Sequence, residues 1–249
     1  MSGTFRLDIK HSIDDFVRRI DFHERDNVPF VTAYALTKTA QDIKAAEVEV
    51  MAAVFDRPTR FTLNSLFVDP ATKRRLTAHV RFKEGFGAVP AWRYLGPQIE
   101  GGGRAKKSHE RALERAGILR AGEYVVPGRG VALDAHGNMR GGDITRILSA
   151  LQANPDPLSK TTQRSKRRRR GRNLDYFVLR GAPGARDGVY LRKSARQIVP
   201  VMIFVRAPAY AKRFPFYETA RRVMQQRFAV NFREGWQRYV VSAPRRRAA

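Results

Sequence analysis

The sequence predicts an α+β fold, with long helices packed on an antiparallel sheet and long irregular insertions between them. Three observations predict it. No helix breaker occurs in residues 30–54, where Leu36, Ala40, Ile43, Val50 and Val54 recur at three- to seven-residue steps. In residues 76–83, Leu76, Ala78, Val80 and Phe82 alternate with Thr77, His79, Arg81 and Lys83, the period of a half-buried strand. After Pro215, Phe216, Ala220, Met224, Phe228, Phe232 and Trp236 step by four, giving a second long helix whose stripe is wide or curved.

The remaining elements follow in order. Ser12 and Asp15 form an S-x-x-D capping box, and Ile13, Phe16, Val17 and Ile20 lie on one face of the helix it opens. Pro29 breaks that helix or starts the next, and Asp56–Pro58 ends the long one. Glu47 interrupts that helix's apolar stripe, so the end carrying it is expected to face a partner or solvent. Residues 63–68 are the expected partner of the alternating strand, with Asp69-Pro70 as the turn between. Residues 84–103, rich in Gly and Pro, read as loop, and residues 106–116 as a short helix closed by Gly117. A Gly-rich passage follows, then a helix capped by Asp143 with Ile144, Ile147, Leu148 and Leu151 inward. Residues 176–179, 189–191 and 198–205 read as three strands, and Pro200 moves the start of the third to an edge or a bulge. The chain is thus expected to be a single α+β domain over residues 1–249, with a Gly/Pro-rich insertion at 84–142 and a basic loop at 154–175.

The composition bounds the function. An apolar share of 43% and fifteen Phe supply a packed core. With no Cys, zinc fingers, thiolate chemistry and disulfide staples are excluded. Residues 1–10 lack an apolar signal region, and no run reaches the length of a membrane span. The net charge of +25 is unevenly spread: residues 1–150 hold 24 Lys and Arg against 18 Asp and Glu (+6), and residues 151–249 hold 24 against 5 (+19). A half so basic repels itself and calls for an anionic neighbour, nucleic acid or acidic protein.

Motifs of catalysis are not recognisable. In residues 96–108, GPQIEGGGRAKKS, Gly96 and Gly101 have the spacing of a phosphate loop, but Gly102 and Gly103 stand where Lys and Ser or Thr would be needed. His11, His23, His79, His109 and His136 are unpaired at metal-binding spacing, and each reads as a surface or loop residue, His79 pointing outward on its strand. Asp14-Asp15 on a helix diverge by about 100°, and the basic half carries only five well-spread carboxylates. No enzyme, cofactor or metal is expected.

The densest feature is residues 163–173, QRSKRRRRGRN, in which Arg164, Lys166, Arg167, Arg168, Arg169, Arg170 and Arg172 occur without an acid. Such a run can contact successive phosphates. It has no interleaved aromatics for base stacking, since Tyr176 and Phe177 read as strand core, and no groove-reading motif surrounds it. Charge runs more often act as docking segments, so contact with an acidic partner or with DNA, without sequence reading, is the expectation.

One resemblance bears on all this. The long helix of residues 30–54 runs into DRPTRFTLNSLFV (56–68) and then into the strand AHVRFK (78–83). This resembles the Z-type minor tail, or tail-completion, proteins of tailed bacteriophages, in which a helix leads to a Pro, a Thr, a Leu and a Ser before the sheet. Pro58, Thr62, Leu63 and Ser65 fill those places, although Leu63 follows Thr62 where the family carries a Gly. PAWRYLGPQIEGGGR (90–104) and IVPVMIFVRAPAYAKRFPF (198–216) are similar to phage and prophage structural proteins. The resemblance implies a non-catalytic virion subunit of the neck or tail, a tail-completion or head–tail joining component. It would form a homo-oligomeric ring beside other neck, tail or portal proteins, in contact with transiting DNA. It would be assembled in the host bacterial cytoplasm, with no membrane partner. The alternative from the residues alone is a nucleic-acid-binding protein without sequence specificity, using Arg164–Arg172.

Overall fold

The structure, a computed structural model, describes residues 6–9 (by their backbone), 27–84, 89–156 and 175–242. Six helices and several antiparallel sheets occur among them, an α+β fold as the periodicities predict. The chain forms two compact units, 1–101 with 211–249 and 102–210, a division that the single-domain expectation did not include. Each unit has its own hydrophobic core. The capping box at Ser12 and the tail 244–249 lie outside the described residues.

Unit 1 is built on helix α1 (Val28–Val54). Pro29 sits in its first turn, where a missing N–H costs nothing. Val28, Val31, Ala35, Leu36, Ala40, Ile43 and Met51 form its buried stripe. At Phe55 the backbone becomes extended, and Arg57 adopts φ 46°. A single-turn helix α2 (Arg60–Leu63) leads into strands β2 (Leu66–Asp69) and β3 (Ala78–Phe82). With β1 (Arg6–Ile9) they form an antiparallel sheet of order β1-β3-β2. His79 corrects the outward expectation: it is buried, because β3 is the middle strand and its His79 position is flanked on both sides, by Asp8 and by Asp69.

Helix α3 (Trp92–Glu100) lies where the sequence reads as loop. Gly96 and Pro97 argue against a helix locally, but Leu95, Gly96, Gln98 and Ile99 are buried, and tertiary burial outweighs their propensity. The Gln98 carbonyl accepts the Arg213 and Phe214 N–H groups at 2.9 and 3.0 Å, tying α3 to the approach of helix α6 (Phe216–Trp236). Helices α1 and α6 pack together, and α6 passes into a π-helical turn, Gln237–Val241. There Tyr239 meets Phe30 and Tyr34 edge-on at 5.0 and 5.2 Å. Gly235 allows close approach, since a Cβ there would lie 2.7 Å from Tyr34 Cδ1.

Unit 2 holds the short pair β4 (Gly102–Gly103) and β9 (Ala209–Tyr210) and helices α4 (Ser108–Arg115) and α5 (Gly141–Ala150). Its four-stranded antiparallel sheet has the order β5-β8-β7-β6, from strands β5 (Glu123–Pro127), β6 (Asp175–Leu179), β7 (Gly188–Ser194) and β8 (Gln197–Arg206). Asp143 lies in the first turn of α5, not at its cap, which is Arg140. Pro200 sits in an inner strand beside a bulge: the register shifts between Val189↔Met202 and Tyr190↔Pro200. Gly128 presses on that strand, where a Cβ would stand 2.3 Å from the Pro200 carbonyl oxygen. Leu113, Leu119, Val125, Ile147, Val189 and Met202 form the core, so much of the Gly/Pro-rich stretch 84–142 is ordered structure.

Candidate polyanion interface

All seven cations of the basic run, Arg164, Lys166, Arg167, Arg168, Arg169, Arg170 and Arg172, lie outside the described residues. The described chain resumes at Asp175, the first residue of β6, and Asp175 pairs with Arg192 near the end of β7. The candidate interface is therefore built from described residues at this end of the unit 2 sheet.

A two-residue turn, Ala195 and Arg196, joins β7 to β8, with Ser194 paired to Gln197. Arg192, Lys193 and Arg196 are all exposed on this hairpin. Arg129 is exposed on the neighbouring side, held there because the Gly128 and Gly130 N–H groups donate to the Val201 and Pro200 carbonyls at 3.0 and 2.8 Å. Among the described residues, Arg129, Arg192, Lys193 and Arg196 form no ion pair. Four cations at one sheet end, with Asp175 the acid beside Arg192, attract a polyanion.

The side-chain alternation adds an aromatic. Tyr176 and Val178 of β6 pack against the unit 2 core with Val189 and Leu191. Phe177 lies on the opposite face, beside Tyr190 at 6.2 Å, and the Arg192 guanidinium covers its ring at 5.3 Å. The expectation that Phe177 is strand core is thus corrected: the pleat that packs partly buried Tyr176 on that core turns Phe177 to the opposite face. An arginine on a half-buried ring, beside exposed Ile198, offers both a cation and a flat apolar surface.

Other arginines of unit 2 are already engaged. Arg180 donates to Glu123 at 2.7 and 3.0 Å, to Asp187 at 3.3 Å and to the Ile118 carbonyl at 2.7 Å, and its guanidinium lies over Phe204. The Arg180 hydrogen bond pulls the Glu123 carboxyl down to about 2. Arg104 grips Glu110 with two bonds of 2.6 and 2.7 Å. These networks join neighbouring segments of the unit, and their charge is neutralised internally.

The histidines differ from their sequence reading in two of the three described cases. His136 is exposed as expected, but His79 is buried and His109 is half-buried, its imidazole pushed down to about 4 by desolvation. Among the described residues no group of three His, Cys, Asp or Glu could hold a metal ion, and no helix is long and apolar enough to cross a membrane. In unit 1 an open groove of about 470 Å³ runs between α1 and the Pro70–Lys73 turn.

Sequence reasoning found the basic run and missed the cations of the hairpin. Both of its arms were read as strands; the missed signal was three cations within five residues, Arg192, Lys193 and Arg196, about a two-residue turn, which a charge count over a whole half of the chain does not resolve. No family model matches the chain, and no curated protein or solved structure matches it.

Proposed function

We propose that this chain is a non-catalytic structural subunit of a bacteriophage neck or tail, a tail-completion or head–tail joining component. In this reading it assembles with its own copies into a ring in the virion, beside neck, tail or portal proteins, after synthesis in the bacterial cytoplasm. The observation that carries it is the local order of the stretch bearing the family resemblance. Helix α1 runs through the Asp56–Pro58 break into α2 and the β2–β3 hairpin, and Leu66 pairs with Phe82. Thr62 and Ser65, two of the residues at the family's positions, are buried. The Thr62 hydroxyl is within 3.0 Å of Thr59 Oγ1 and 3.1 Å of the Tyr94 hydroxyl, and Ser65 Oγ donates to the Thr62 carbonyl at 2.6 Å. These bonds fix the passage from helix to strand. Exposed Phe61, Phe67 and Val89 leave apolar surface in the same unit for a neighbouring subunit.

The purified full chain is expected to form ring-like oligomers in native mass spectrometry and electron microscopy, and to be present in purified particles. A strict monomer absent from particles overturns the proposal.

A second reading, nucleic-acid binding without sequence specificity, is favoured by the Arg192–Phe177 contact with Lys193 and Arg196 alongside. Each phosphate contact contributes roughly 0.9 to the slope of log affinity against log salt. The triple variant Arg192→Ser, Lys193→Ser, Arg196→Ser is expected to flatten the slope for duplex DNA by about 2.7 if all three contact phosphates. A parallel variant with Arg167–Arg170 changed to Ser reports the run's own share. Unchanged slopes in both variants remove this reading.

A further inference from the structure

The seam between α1 and α6 carries an unusual polar line. Thr32, Thr39 and Glu47 on α1 and Thr219 and Asn231 on α6 are all buried. Part of it is satisfied: Asn231 Nδ2 donates to Thr39 Oγ1 at 3.0 Å and to Asp42 Oδ2 at 2.9 Å, and Arg227 also reaches Asp42 at 3.1 Å. Glu47 is not. Its residue is 0% exposed, and neither carboxyl oxygen has a hydrogen-bond partner.

A carboxylate in such a place would be a buried charge without compensation, which the fold avoids by keeping it protonated. Desolvation, with Glu218 adding to it and Arg222 opposing both, raises the Glu47 carboxyl to about 9. Among the described residues Glu218 and Arg222, both on α6, are the charged groups acting on it. Both side chains belong to exposed residues. At 0% exposure, an ionised Glu47 gains water only if the packing of α1 on α6 around it loosens.

We propose that the α1–α6 seam is a proton-held latch, closed while the Glu47 carboxyl is neutral and opened when that carboxyl ionises. Opening bares the apolar stripe of α6, Ala220, Val223 and Phe228, so the latch controls access to the one face of this helix that the seam buries. The sign follows from linkage. The folded state holds the Glu47 proton above the pH at which the unfolded chain has released it. The contribution of this group to stability therefore falls as pH rises from about 4.5 and stops changing above about 9. The inference does not depend on the proposed virion role.

The test is amide exchange of the full chain read by mass spectrometry at about pH 7 and about pH 10, after correction for base-catalysed exchange. The α6 amides of the natural protein are expected to lose roughly tenfold or more in protection across that interval. Glu47→Gln and Glu47→Met should both show a flatter response, with the α4 amides of unit 2 as the internal reference. At pH 7 both variants should melt about 5–10 °C higher than the natural protein. Glu47→Met removes the polar group altogether, so it carries the comparison if Glu47→Gln does not fold. An identical loss of protection in the natural protein and the folded variants, no loss in the natural protein, or lower melting of both variants overturns the latch.

Discussion

Glu110→Ala is expected to destabilise unit 2 by about 3–5 kcal/mol, the cost of stranding one member of a buried ion pair. The Glu110 side chain is 0% exposed and that of Arg104 is 11% exposed. Each carboxylate oxygen takes one guanidinium N–H and one backbone N–H, from Val125 at 2.9 Å and from Lys107 at 2.6 Å. The substitution therefore leaves the guanidinium without its carboxylate and two amides without acceptors, and the remaining contacts, to the Ala105 carbonyl at 3.2 Å and over Tyr124 at 4.8 Å, do not replace the lost charge. The ion pair itself is weak evidence of net stability; the large effect comes from removing half of it. For a unit of this size the loss lowers Tm by about 15 °C or more, measured by calorimetry. Glu110→Gln, which keeps an acceptor oxygen, should fall between.

The same residue has a pH signature. Burial pushes the Glu110 carboxyl up, but Arg104 and the two backbone N–H groups outweigh it and hold the group below its ordinary value of 4.5. A lowered folded value means the stabilisation is present above about pH 4.5 and is lost as pH falls through the folded value. Glu110→Gln should accordingly lack part of the acid loss seen in the natural protein. Equal acid dependence in the two would show that the pair is already broken in solution.

Phe216→Ala is expected to cost unit 1 about 3–5 kcal/mol. Phe216 is fully buried, stacked on Phe82 at 5.6 Å and edge-on to Phe214 and Tyr217 at 5.7 and 5.5 Å. Truncation opens a cavity where the start of α6 meets the middle strand of the sheet, and an aromatic cluster relaxes poorly into such a space. Denaturant titration gives the magnitude, and amide exchange gives the location. Protection should fall in α1, β3 and α6 for Phe216→Ala, and in α4 and β5 for Glu110→Ala. A cost below about 1 kcal/mol would show that this core is looser than its contacts indicate.

Residue pattern alone determined much of this protein. Period and breaker residues placed α1, β3, α6 and three of the four strands of the unit 2 sheet, β6, β7 and β8, because a face that must be buried repeats with the geometry of its element; β5 lay unread in the Gly-rich passage. The acid-free basic run 163–173 was equally plain in the sequence. Tertiary structure alone decided four things. It formed α3 against the preferences of Gly96 and Pro97, since burial of Leu95 and Ile99 is a non-local gain. It buried His79, because only strand order reveals that β3 is central. It turned Phe177 towards Arg192 and away from the core, and brought Arg129 to the same sheet end from another strand. And it enclosed Glu47, correcting the expectation that this end of α1 faces a partner or solvent, because the helix that covers it lies far along the chain. Local pattern records which residues share a face; what that face meets depends on contacts between distant segments, and these set the solvation and charge on which the proposed site and latch depend.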